Sequence, residues 1–136
     1  MWATEIPKER AYGLTRCCCV SSRGTSLYRA LVAFGLEPRD ELLTEVPAEV
    51  GAAVLERILA VSFVGQLEAM SDHRARALSA EFVDAFKHQG GKFYTNGDWS
   101  SLSAHTWTPL TDSVFDGGLI AHGPDISACV WVEEDD

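Results

Sequence analysis

The sequence predicts an α+β fold: one compact domain, residues 1–136, with central helices packed on a small, mostly antiparallel sheet that ends in a C-terminal hairpin. Helical patterns occupy residues 25–90 and strand-like segments follow Gly91, an order that is typical of α+β proteins. With 136 residues, 46% hydrophobic and 23% charged, the chain has the size and composition of a single globular domain. No internal repeat, low-complexity tract or long linker divides it.

The first predicted elements are a strand and a short helix. Residues 12–20, YGLTRCCCV, are typical of a strand that ends in the turn-like sequence SSRG. Thr25 or Ser26 can then cap a helix that Gly35 ends, because a side-chain oxygen suits the first position and glycine the last. A further helical turn is expected at Pro38 to Leu43.

Two longer helices are predicted in the middle of the chain. The first runs from about Pro47 to Met70 and carries Glu49 in its first turn, where the helix dipole favours an acid. It is apolar on most sides, so we expect it to be the centre of the core and an aspartate at Ile58 or Leu59 to abolish folding. The second helix has one apolar face; Ser71 caps it, and two glycines stop it after residue 89.

The last third of the chain is predicted to be mainly β-structure. Residues 92–95 suit a short strand and residues 96–116 a loop. Residues 118–122 and 126–132 suit two strands joined by a Gly-Pro-Asp turn, a clear hairpin pattern. The N-terminal strand joins this sheet, the helices cover one face of it, and the acidic tail, residues 133–136, is expected to extend into solvent.

The net charge of −9 is unevenly distributed. Residues 91–136 hold one lysine and eight acidic residues, a net −7, whereas residues 1–25 carry +2. Because an acidic surface repels a phosphate backbone, nucleic acid is not an expected partner. The same field favours encounter with a basic protein, although solubility alone also explains an acidic composition.

The cysteines and the N-terminal sequence predict a cytoplasmic protein without a cofactor. Cys17, Cys18 and Cys19 are consecutive and Cys129 is alone, a spacing that no zinc motif uses, so no metal is predicted. We expect all four to be reduced and mainly structural. No apolar run is long enough to span a membrane, and charged residues stand where a signal peptide needs its apolar segment.

Residues 93–118 form the best candidate for a binding surface. Aromatic rings alternate there with short polar and acidic residues, a mixture that suits contact with a partner. The alternative is that the rings cover an open side of the sheet. The residues predicted to bind a partner are Tyr94, Asp98, Trp99, Trp107, Asp112 and Asp116.

A catalytic alternative uses a thiol nucleophile. Cys17 or Cys19 would be activated by a histidine, which a carboxylate would orient. The histidine candidates are His105 and His122, and the carboxylate candidates are Asp98 and Asp116. Only their geometry can make such residues a triad.

A second enzymatic alternative comes from a short resemblance. The sequence Arg23-Gly24-Thr25, followed by a helix ending at Gly35-Leu36, resembles the start of mono-ADP-ribosyltransferases. That resemblance implies that Arg23, the serines of Ser101-Leu102-Ser103 and Glu133 or Glu134 hold NAD and activate its ribose. The serine-threonine-serine motif of that family is not present here.

These observations leave three functional hypotheses. The first is a small acidic, cytoplasmic interaction protein that binds and neutralises or sequesters a basic protein, as immunity proteins and inhibitors do. The second is a small enzyme of one of the two types above. The third is a small-molecule binder that uses the aromatic segment 93–118 as a pocket wall.

Overall fold

A computed structural model describes residues 2–98, 106–107 and 109–135, with the backbone alone at residues 2, 3, 98, 106 and 107. In these ranges the chain forms four helices and one five-stranded sheet, which confirms the predicted α+β class. The helices are α1 (Trp2–Glu9), α2 (Leu27–Phe34), α3 (Ala48–Ala60) and α4 (Asp72–Lys87). A single 3₁₀ turn lies at Asp40–Leu42.

Two strands lie between helices in the chain, and the other described strands follow the last helix. They are β1 (Leu14–Ser21), β2 (Thr44–Val46), β3 (Lys92–Thr95), β4 (Gly97–Asp98), β5 (Thr106–Trp107), β6 (Phe115–His122) and β7 (Ile126–Glu134). The main sheet has the antiparallel order β1-β7-β6-β3-β2, so β1 and the short β2 are its edges. Strands β4 and β5 form a separate two-stranded ribbon.

Helices cover both faces of the main sheet. Helices α1, α3 and α4 pack on one face, which we call the α3 face, against side chains that include Leu119 and Val130. Helix α2 packs on the opposite face, the α2 face, against Ile120 and Trp131. Because neighbouring residues of a strand point to opposite faces, β6 and β7 contribute to both cores. The prediction of helices on one face therefore omitted the layer that α2 provides.

The predicted caps of the two amphipathic helices are confirmed. The side chain of Ser26 accepts a hydrogen bond from Arg29 N, and that of Ser71 accepts one from Arg74 N. Gly35 ends α2 with φ of +77°, a conformation that glycine adopts without strain.

Helix α3 ends ten residues earlier than predicted. The backbone turns extended at Val61, and Val61 then pairs with Glu68 across a tight loop. The Ser62 hydroxyl donates to Val64 O and accepts from Leu67 N, which gives the backbone an alternative to helical hydrogen bonds. A single apolar run therefore divides into a helix and a loop.

The acidic tail was wrongly predicted to extend into solvent. Glu133 and Glu134 belong to β7, and Glu134 is only 5% exposed. Its carboxylate accepts hydrogen bonds from Arg10 Nη2 at 2.7 Å and from the backbone N–H groups of Phe63 and Val64. Arg10, whose side chain is fully buried, also donates to Ile58 O and Val61 O. This buried ion pair joins the end of α1 to α3 and to the last strand.

Candidate functional site

The best candidate site is a cleft of about 320 Å³ beside the end of α2, which we call the acidic cleft. Three carboxylates line it: Glu37, Asp112 and Glu133. The remaining lining residues are Arg16, Gly35, Leu36, Leu110 and Thr111. Among the described residues of the cleft, carboxylates thus outnumber cations three to one.

Three parts of the chain meet at the acidic cleft. The turn at Gly35 directs the backbone away from α2, and Glu37 N then donates to Leu110 O at 2.9 Å. This bond brings the exposed side chains of Glu37 and Asp112 to the same cleft. Glu133 comes from the end of β7.

Arg16 is already occupied by groups of this chain. Its guanidinium donates to Phe34 O at 2.9 Å, to Gly35 O at 3.1 Å and to Glu133 Oε2 at 3.0 Å. Within the described residues, neither Glu37 nor Asp112 has a cation within 4.0 Å. The cleft therefore presents two carboxylates that form no ion pair with the described residues.

Further exposed acids follow Glu37 in the chain. Residues 37–49 contain the exposed acids Glu37, Asp40, Glu41, Glu45 and Glu49. Their only cation, Arg39, lies 3.6 Å from Glu41. This segment was not predicted to be a site. Its excess of acids over bases was the available signal, but only the fold brings Glu37, its first residue, to the same cleft as Asp112.

Asp116, one of the predicted binding residues, is fully buried. Its carboxylate accepts from Asn96 Nδ2 at 3.0 Å, from Leu110 N at 3.0 Å and from Thr111 Oγ1 at 2.6 Å. Burial raises the pKa of this carboxyl group. Asp116 therefore holds the loop that carries Asp112 and cannot itself meet a partner.

The other predicted binding residues have different outcomes. Tyr94 is half-buried on the α2 face, and the pKa of its phenol is raised by burial and by Glu45, its cross-strand neighbour. Asp98 and Trp107 lie on the β4–β5 ribbon, which is described by its backbone only. Trp99 lies outside the described residues.

The described residues do not assemble the proposed thiol triad. Cys17 and Cys19 pair with Val130 and Ala128, both on the α3 face. His122 follows Ala121 of the α3 face, so its side chain points to the opposite face, where it contacts Ser127 Oγ. Burial raises the pKa of Cys17 to about 12, which leaves it a poor nucleophile.

The remaining members of the triad do not change this result. Asp116 also faces the α2 side of the sheet, where it bonds to Leu110. The other histidine candidate, His105, lies outside the described residues, as do the three residues of Ser101-Leu102-Ser103.

The residues that carry the resemblance to ADP-ribosyltransferases also lie apart. Arg23 follows β1 and lies 3.3 Å from Asp125, in the turn between β6 and β7. Glu133 and Glu134 are at the opposite end of β7. At about 3.3 Å per residue, about 23 Å of strand separates the two ends, too far for one ribose to contact both.

Comparisons with known proteins identify no relative. No protein family, curated protein or solved structure matches the chain. Among the residues that the structure describes, no group of three or more His, Cys, Asp and Glu side chains is placed to hold a metal ion. The same residues include no helix whose length and apolar character suit a membrane span.

Proposed function

We propose that this chain is a cytoplasmic interaction protein that binds a basic protein partner through the acidic cleft and thereby neutralises or sequesters it. The observation that carries this proposal is that Glu37 and Asp112 line one cleft and that, among the described residues, neither has a cation within 4.0 Å, because Arg16 pairs with Glu133. Immunity proteins and inhibitors act by this type of charge-complementary occupation.

The cleft has the dimensions and lining that suit a lysine or arginine side chain. Its volume of about 320 Å³ is at the lower end of the range for ligand pockets and is sufficient for one side chain. Leu36 and Leu110 supply apolar surface for the aliphatic stem, and the carboxylates of Glu37 and Asp112 supply acceptors for the charged head.

The segment that begins at Glu37 carries further negative charge. The exposed acids of residues 37–49 raise the rate of encounter with a basic surface. The β4–β5 ribbon follows β3 in the chain, and β3 lies next to β2 in the sheet. From there Trp107 would supply an apolar anchor, as predicted from the sequence.

The test uses affinity capture from the native host followed by binding kinetics with the purified partner. We expect Glu37→Gln combined with Asp112→Asn to raise the Kd by on the order of 100-fold, since charge pairs that are desolvated in an interface contribute about 2–5 kcal/mol. Trp107→Ala is expected to cost about 2 kcal/mol of binding, the usual scale of an interface anchor.

A matched control removes two charges elsewhere. Glu81→Gln with Asp84→Asn makes the same change on the exposed side of α4, across the sheet from the cleft. This control should change the Kd by less than about threefold, because distant surface charges act only through the screened field. Equal losses in the two double variants would refute the cleft as the binding site, and failure to retain any basic partner would refute the proposed function.

A further inference from the structure

Two cysteines face each other across neighbouring strands. Cys18 of β1 is paired in register with Cys129 of β7. Both belong to the α2 face, where Cys129 is fully buried and Cys18 is half-buried. Cys17 and Cys19 point to the opposite face, so consecutive position in the sequence does not make them partners of Cys18.

The spacing of this pair suits a covalent bond. Directly opposed residues of antiparallel strands have Cβ atoms about 4.5–5.5 Å apart, close to the 3.5–4.5 Å of a disulfide. Each thiol is also the largest cause of the shift in the other's pKa. A small approach of the two side chains therefore brings the sulfur atoms into bonding distance.

We propose that Cys18 and Cys129 form an oxidisable dithiol site that a hydroperoxide converts into a cross-strand disulfide. In the first step the Cys18 thiolate attacks the terminal peroxide oxygen, the O–O bond breaks, and Cys18 becomes a sulfenic acid as hydroxide or an alkoxide leaves. In the second step the Cys129 sulfur attacks the Cys18 sulfur, the S–O bond breaks, and water leaves with the Cys129 proton. The peroxide is reduced by two electrons, which the two thiols supply.

The surroundings assign a different role to each thiol. Cys18 reaches solvent, accepts the hydrogen bond from Cys129 and lies near the Arg16 guanidinium; these contacts lower its pKa to about 6. Cys129 is buried, and its hydrogen bond with Cys18 together with burial raises its pKa well above the ordinary value. Cys18 is therefore the thiol that meets the oxidant. Cys129 is assigned the resolving role by its position, because it lies directly opposite Cys18 in the strand register.

The bond would act on the part of the sheet that supports the acidic cleft. Strand β1 is an edge strand, so a Cys18–Cys129 disulfide would join it covalently to its only neighbour in the sheet, β7. Arg16 and Glu133, which line the cleft, belong to these same two strands. Oxidation would thus restrain the strands that carry one wall of the cleft.

Mass spectrometry with hydrogen peroxide as the probe tests the site. The full chain is reduced, treated with a small excess of hydrogen peroxide, blocked with N-ethylmaleimide and digested without reduction. We expect a Cys18–Cys129 cross-linked peptide and an intact mass lower by two hydrogen atoms. The Cys17→Ser/Cys19→Ser variant should form the same bond at a similar rate.

Single variants separate the two roles. Cys129→Ser, with its native fold checked by circular dichroism, should accumulate a Cys18 sulfenic acid that dimedone traps, whereas Cys18→Ser should leave Cys129 unoxidised. If a variant fails to fold, the presence or absence of the Cys18–Cys129 cross-linked peptide in the wild-type chain still tests the proposal. Oxidation of Cys19 alone, a disulfide between two molecules, or free Cys18 and Cys129 thiols after treatment would each overturn the proposal.

Discussion

Single acidic residues close together in the sequence have very different surroundings. Asp112 is exposed at the acidic cleft, whereas Asp116, four residues later, is fully buried and held by three donor groups. Glu134 is buried against the Arg10 guanidinium. In the sequence these acids belong to one region of negative charge, but only the exposed ones can attract a partner.

The buried Arg10–Glu134 pair leads to a stability prediction. Glu134→Leu leaves the Arg10 charge buried without its counter-ion, so we expect the free energy of unfolding to fall by about 3–5 kcal/mol. Replacing both residues, Arg10→Met with Glu134→Leu, removes the buried charge and should restore part of that loss. Urea unfolding followed by circular dichroism measures both.

An exposed ion pair provides the control for this prediction. Glu9 lies 2.9 Å from Arg74 on the surface, and Glu9→Gln should change the free energy of unfolding by less than about 1 kcal/mol. A double variant no more stable than Glu134→Leu would show that the buried arginine charge is not the cause of the loss.

Cys18 is expected to show an unusual pH dependence. The hydrogen bond from Cys129, followed by the charge of Arg16, lowers its pKa from 9.0 to about 6 despite partial burial. Because the thiolate is the nucleophile, the alkylation rate should fall about tenfold per pH unit below pH 6 and level off above it. Iodoacetamide kinetics in the Cys17→Ser/Cys19→Ser variant measure this profile.

Removal of the Cys129 donor tests the cause of that shift. In Cys129→Ala the midpoint of the Cys18 profile should move upward, towards that of an ordinary thiol near pH 8.5. A midpoint above pH 8 in the parent variant as well would contradict the assigned hydrogen bond.

At the scale of elements, helix α3 organises the core on the α3 face. Leu55, Ile58 and Leu59 are at most 1% exposed, and Gly51 lets the helix approach β6, since a Cβ there would lie 3.3 Å from a Leu119 methyl group. The helix was predicted from its apolar pattern, and its position in the core is as expected. Its end at Ala60 instead depends on Ser62 and on the Glu134 carboxylate, which binds the loop that follows.

Two substitutions in α3 test its packing. Ile58→Ala should lower the free energy of unfolding by about 2–5 kcal/mol, because it opens a cavity where Ile58 is 1% exposed. Val50→Ala in the same helix, at a position 45% exposed, should change it by about 0.5 kcal/mol or less. Thermal and urea unfolding compare the two; equal effects would place α3 outside the core.

At the scale of the whole molecule, the sheet brings distant acids together on one side. Glu37 precedes the β2 edge, Asp112 precedes β6, and Glu133 is at the end of β7. The distribution of charge along the sequence predicted the acidic surface in the last third of the chain. In the structure, Glu37, Asp112 and Glu133 line one cleft, and residues 37–49 carry four further exposed acids.

The sequence by itself determined the features that depend on neighbouring residues. Helix ends lie at Ser26, Gly35 and Ser71 because caps need only nearby backbone groups. The Gly-Pro-Asp sequence joins two strands because turn preferences are local. The α+β class followed from the same local periods.

Only the tertiary structure decided which residues are exposed and which meet. Burial of Asp116 and Glu134, the pairing of Cys18 with Cys129, and the approach of Glu37 to Asp112 all join positions far apart or on different elements. Such contacts depend on strand register and on which face each helix covers. A local sequence pattern does not determine either, since a shift of one residue exchanges the two faces of a strand.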